Sequence, residues 1–89
     1  MKIAAYATVH DLIIIPHGHS TPLNIHFSAV QSPIHTPYQE YLTKWNDVNQ
    51  HFLKHPLKPV KGLLQIPAVP GINMELDTAK VEKEEEVRV

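Results

Sequence analysis

Leu12-Ile13-Ile14-Ile15-Pro16-His17-Gly18-His19 is the stretch on which the fold of this chain turns. Its first four residues form a continuous, mostly β-branched apolar run, the pattern of a strand buried on both faces. Pro16 closes the run, because proline has no N–H to give a ladder and restrains the residue before it. Upstream, Lys2 to His10 (KIAAYATVH) sets Ile3, Tyr6, Ala7 and His10 at helical spacing, and Asp11 ends that element. No Ser, Thr, Asp or Asn precedes Ile3 as a cap, so this helix is expected to be the remainder of one that starts further upstream. Helix, short turn and buried strand make half of a βαβ repeat, so the expected class is α/β with a parallel sheet covered by helices.

His17-Gly18-His19 then falls in a turn at the C-terminal end of the buried strand. In an α/β barrel the loops at that edge converge on the mouth, where catalytic residues sit. An imidazole held there can take and return a proton near neutral pH if a carboxylate orients its other nitrogen. His17 is therefore a candidate general acid/base, although the same residue reads equally well as a loop histidine in water.

Beyond the turn, Pro22 to Gln31 (PLNIHFSAVQ) carries Leu23, Phe27 and Val30 on one stripe with Ile25 beside it, and a second helix is expected there. Ser32-Pro33 stops it. Pro37 to Leu42 (PYQEYL) alternates briefly, with Tyr38 and Glu40 on one face, and reads as the next strand. One β/α unit separates it from the first, so Glu40 would stand beside His17 at the same mouth and could hydrogen-bond an oxyanion as it forms. From spacing alone, the commoner fate of such a glutamate is the surface.

Trp45 to Phe52 is weakened as a helix by Asn46, Asp47 and Asn49, and His55-Pro56, Lys58-Pro59 and Ile66-Pro67 keep the chain extended beyond it. Gly62 to Ile66 and Met74 to Leu76 read as short extended pieces on either side of a Pro70-Gly71 turn. Asp77 or Thr78 is placed to cap a final polar helix running through Glu86.

Composition removes several classes of function. With 89 residues the chain is at most one small domain, and with no cysteine it has neither a disulfide framework nor a thiolate zinc site. A net charge of -1 and a single arginine, Arg88, leave no basic face for a phosphate backbone, so no nucleic-acid partner is expected. No membrane association is expected either. The longest apolar run falls far short of the roughly 20 residues that cross a bilayer, and a cytoplasmic location follows.

Seven histidines raise the alternative of a small His-rich metal-binding protein. His17/His19 and His51/His55 are the close pairs, yet neither has a third ligand at motif spacing. A non-enzymatic interaction module, docking through Lys80 to Arg88, is the other alternative.

Several ordered motifs carry a resemblance. They are IPHGH (15–19), IHFSAVQSP (25–33), TPYQEYL (36–42), HPLKPVKGLLQIP (55–67) and PGINMELDTAKVE (70–82). In that order they resemble the C-terminal end of acid-sugar dehydratases, L-rhamnonate-dehydratase-like, in the mandelate racemase/muconate lactonizing enzyme branch of the enolase superfamily. Ile72-Asn73-Met74 departs from the usual residues after Pro70-Gly71, which touches packing and not chemistry.

The resemblance implies a modified (β/α)7β barrel with a capping domain. Residues 1–56 would supply its last two strands and the helix between them. Residues 57–89 would form a C-terminal extension packed under the cap. It implies a lyase or isomerase that removes the proton α to a sugar-acid carboxylate, with Mg²⁺ held by three carboxylates that lie outside this chain. His17 would end the seventh strand as general acid/base, Glu40 would end the eighth, and His19 would be a secondary substrate contact. The chain by itself would then be inactive. Leu63, Leu64, Ile66 and Val69 would lack a partner surface and favour self-association.

Overall fold

The computed structural model describes residues 1–88. In chain order these form α1 (Lys2–Val9), a 3-10 turn (Gly18–Ser20), α2 (Thr21–Ala29), α3 (Thr43–Asn49) and a second 3-10 turn (Thr78–Lys80).

Helix α1 ends as its sequence requires. The Leu12 N–H donates to the Ala7 carbonyl and the Asp11 N–H to the Thr8 carbonyl, with Asp11 in the left-handed region at φ 54°. That pairing is a Schellman cap, with an aspartate in the place where glycine is usual. The inward face of α1 is Ala4 and Ala7, while Ile3 and Tyr6 face solvent. In α2 the buried residues are Thr21, Pro22 and Ile25, and the expected stripe of Leu23 and Val30 is exposed. In both helices the large apolar side chains have no packed layer opposite them, and the smaller ones face inward.

No sheet forms among the described residues. Leu12 to Ile15 is extended, but its one ladder-like bond is from the Ile14 N–H to the His35 carbonyl at 2.7 Å. Leu12, Ile13 and Ile15, expected inside, are each more than half exposed. Beyond that bond no described segment runs alongside Leu12 to Ile15 in register, so the expected strand has no ladder. Pro37 to Leu42 is likewise extended without a ladder. Isolated antiparallel bridges join Leu53 to Leu76 and Val60 to Leu63. The second of these closes a hairpin through Lys61 and Gly62, both at positive φ. Of the expected polar helix near the C-terminus, the Thr78–Lys80 turn forms, started by Asp77 accepting from the Ala79 N–H. The segment beyond has no apolar stripe to hold it, and Glu84, Glu85 and Glu86 repel one another.

Helix α3 forms where its asparagines had argued against one, because their side chains are turned to use. Asn46, Gln50, Leu53 and Leu57 are all buried, and two of the four are amides. The apolar core is small, comprising Ala4, Ala7, Ile25, Leu53 and Leu57. The chain exposes 7308 Å², against about 5,300 Å² for a well-packed monomer of its mass. Its radius of gyration of 15.4 Å likewise exceeds the roughly 12 Å of a compact domain of this length. No helix among the described residues is long and apolar enough to cross a membrane.

Candidate active site

The site is built around the turn Pro16 to His19, which enters the first 3-10 turn and leads directly into α2. This segment has no ladder to satisfy its carbonyls, and four consecutive ones are satisfied by side chains instead. The Pro16 carbonyl accepts from Gln39 Nε2 at 3.1 Å and the His17 carbonyl from Asn24 Nδ2 at 2.6 Å. The Gly18 carbonyl accepts from both Thr21 Oγ1 (3.1 Å) and Asn46 Nδ2 (2.9 Å), and the His19 carbonyl from Asn49 Nδ2 (3.3 Å). Four amides and one hydroxyl thus cradle a turn that would otherwise carry orphaned acceptors.

Gly18 is at the centre because nothing larger fits. A Cβ there would stand 2.9 Å from the Glu40 carbonyl oxygen, the Leu42 nitrogen and Leu42 Cγ. Two of those are backbone atoms that cannot swing aside. That close approach brings the Gly18 N–H to Glu40 Oε2, to which it donates at 2.7 Å. The same Oε2 lies 3.8 Å from His17 Nε2. His17 and Glu40 therefore meet across two extended segments 23 residues apart, with the histidine side chain 65% exposed and the carboxylate 40%. The carboxylate is oriented by a backbone donor and lies beside an imidazole that water can reach; at 3.8 Å the two are within ion-pair range and are not hydrogen-bonded. His19 packs against His17 with ring centres 4.3 Å apart and planes tilted by 57°, and its other neighbour is the indole of Trp45 at 6.0 Å, edge to face.

All three residues singled out from the sequence, His17, Glu40 and His19, are thus brought together. The remaining histidines serve local structure. His10 meets Tyr6 edge-on, His26 Nδ1 lies 2.7 Å from the Pro22 carbonyl, the His35 carbonyl accepts from the Ile14 N–H, His51 packs edge-on against Phe52, and the His55 carbonyl accepts from Asn73. Among the described residues no three His, Asp or Glu side chains converge as a metal ligand set. The described residues therefore do not fit the Mg²⁺ that the resemblance implies.

Asn24, Gln39, Asn46, Asn49 and Gln50 were missed by the sequence reading, which weighed asparagine against helix and not for its hydrogen bonds. The signal that could have found two of them is the spacing 46, 50, 53, 57, a helical stripe hidden because its first half is polar. Tyr41, next to Glu40, donates its hydroxyl to the Leu57 carbonyl at 3.1 Å. Burial, and secondarily the charge of Asp47, pushes its phenol above the ordinary value of 10.0.

The chain is similar to a D-galactarolactone cycloisomerase of Agrobacterium fabrum (strain C58 / ATCC 33970), 33% identical over 86 residues. The match takes in 85% of this chain and 23% of the cycloisomerase, so the chain spans about a quarter of the length of the curated relative. No protein-family model matches the sequence. No solved structure matches it. The cycloisomerase is an enolase-superfamily enzyme, and the similarity supports a distant relationship to that superfamily.

Proposed function

We propose that this chain is the histidine-bearing C-terminal part of an enolase-superfamily enzyme that removes the proton α to the carboxylate of a sugar acid or its lactone, with His17 as general acid/base. The observation that carries the reading is the meeting of His17 Nε2 and Glu40 Oε2 at 3.8 Å, at the end of an apolar extended segment. The similarity to a cycloisomerase whose named substrate is a sugar-acid lactone supports the same substrate class. In this reading residues 1–56 are the last two β/α units of a barrel and residues 57–89 an extension beyond it. Leu12 to Ile15 takes its missing ladder bonds from the rest of the barrel, whose carboxylates would also hold Mg²⁺.

His17 would accept the α proton or protonate a leaving oxygen. Glu40, held by the Gly18 N–H, would orient the imidazole or bind the substrate's charge-bearing edge through a shared proton. His19 would face the remainder of the substrate. A dehydratase and a cycloisomerase differ in which β oxygen leaves, and the same histidine serves either.

A chimera tests this reading. Residues 1–88 are exchanged for the aligned stretch of the Agrobacterium cycloisomerase, and turnover of galactarolactone is followed. The expected result is an active chimera whose kcat falls at least ~100-fold on His17→Asn. A folded His17→Asn chimera that turns over as fast as its parent would rule out the role given to His17.

A further inference from the structure

The amide cradle around the histidine turn does not end at the turn. Asn46 is 1% exposed and Gln50 is 4% exposed, among the most buried polar side chains described. Asn46 Nδ2 donates to the Gly18 carbonyl at 2.9 Å and to the Leu42 carbonyl at 3.0 Å. Its Oδ1 accepts from Gln50 Nε2 at 2.9 Å. Gln50 then closes a two-way pair with the backbone of Leu57. Its Nε2 donates to the Leu57 carbonyl at 3.1 Å, and its Oε1 accepts the Leu57 N–H at 2.6 Å. Each polar atom of the two side chains has a partner, and no buried side-chain nitrogen or oxygen among the described residues is left without one.

An amide reads direction. Because Asn46 Oδ1 must accept from Gln50, its Nδ2 is committed to the Gly18 and Leu42 carbonyls. Gln50 in turn is fixed by a backbone N–H and a carbonyl of one residue, which only a seated Leu57 can supply. The two carbonyls that Asn46 holds bracket the segment carrying Glu40 and the turn carrying His17. The relay therefore sets the distance between the candidate acid/base and its carboxylate, and it is anchored in the segment that follows α3.

We propose that Asn46 is a positioning residue for the His17–Glu40 pair, and that Gln50 makes its setting depend on the seating of the Leu57 backbone. Its bearing on catalysis rests on the role proposed above for His17, but the positioning itself is a property of the chain and is measured without substrate. Buried hydrogen-bonded networks of this kind act as units, so losing one member is felt along the whole relay.

Amide hydrogen exchange and side-chain nuclear Overhauser effects on the 89-residue chain provide the test. In the unsubstituted chain the Gly18 amide is protected, and cross-peaks link the His17 ring to the Glu40 side chain. Asn46→Leu keeps the four-atom branched outline and removes the donors and the acceptor. It is expected to lower Gly18 protection by ~10-fold or more and to erase the His17–Glu40 cross-peaks, while the amides of α2 keep theirs. Gln50→Met, which leaves every atom touching the turn in place, is expected to do the same through Asn46. Gly18 protection and His17–Glu40 cross-peaks surviving in either folded variant would overturn the proposal. So would rapid exchange of the Asn46 side-chain amide protons in the unsubstituted chain, which needs no variant to fold. An inactive chimera with these signatures intact would sink the enzymatic role of His17 and leave the positioning relay standing.

Discussion

Gly18 is the residue on which the candidate site depends for its shape, and the reason is space, not backbone torsion. Replacing it with alanine sets a methyl against two backbone atoms at 2.9 Å, so the turn must lift away from Glu40 and the 2.7 Å bond from the Gly18 N–H is lost. We expect Gly18→Ala to lower unfolding stability by about 1–3 kcal/mol, read from denaturant midpoints; an unchanged midpoint would mean the contact is not tight. Tyr41 offers a second residue-scale prediction, with a definite sign. Its phenol is raised above 10.0 by burial and by Asp47, so the folded state holds the proton more tightly than the unfolded chain does. The stability linked to Tyr41 is whole below pH 10 and is lost as pH rises through its folded value. Tyr41→Phe should therefore flatten the alkaline decline of the thermal midpoint, and an equally steep decline in the variant would refute the linkage. At this scale the sequence was informative where chemistry announces itself. His17 was singled out as a titratable group at the end of an apolar run, Glu40 by its place one β/α unit further on, and His19 by the resemblance alone. The amides that hold them were not, because asparagine counts against a helix and glutamine is neutral until their hydrogen-bond partners are visible.

Among the elements, α1 and α2 were legible from apolar spacing, and the end of α1 at Asp11 was legible from the break in it. What spacing could not give was which face turns inward. Ala4 and Ala7 are buried while Ile3 is 82% exposed, because the inward face is decided by what lies opposite, which spacing within one helix does not contain. Helix α3 was weakened on paper by the low propensities of Asn46, Asp47 and Asn49, and its buried stripe begins with the amides Asn46 and Gln50. The cap of α1 permits a clean prediction. Asp11 adopts φ 54° at a position where glycine carries no steric cost, and its contact with His35 is a 4.0 Å approach by a 94% exposed carboxylate that adds little. Asp11→Gly should stabilise the chain by ~1 kcal/mol in chemical denaturation. A loss of stability would show that the aspartate side chain holds the cap in some other way.

For the whole molecule, the mismatch is between the strands that the apolar runs demand and the sheet that 89 residues do not supply. Leu12, Ile13 and Ile15 on one extended segment and Ile3, Tyr6 and Val9 on α1 face solvent, and the chain exposes roughly 2,000 Å² more than a compact monomer of its mass. That excess is spread over the molecule, and in total it is comparable to what a stable protein interface buries. Purified alone, the chain should sediment well above 10.1 kDa, with a concentration-dependent average mass. A compact monomer at all concentrations would mean that these side chains find cover within the chain. The helix, apolar run and turn are what suggest a barrel unit in the sequence, but Leu12 to Ile15 and Pro37 to Leu42 are extended without a ladder among the described residues. The pairing of His17 with Glu40, by contrast, needs only the local turn and its cradle, and it forms without a sheet. The most direct measurement follows the proton itself. A sugar-acid lactone carrying deuterium at the carbon α to its carboxylate is given to the chimera, and release of the label into water is timed. The role assigned to His17 requires release in the parent chimera and a fall of at least ~100-fold in His17→Asn. Undiminished release from the folded His17→Asn protein would contradict it.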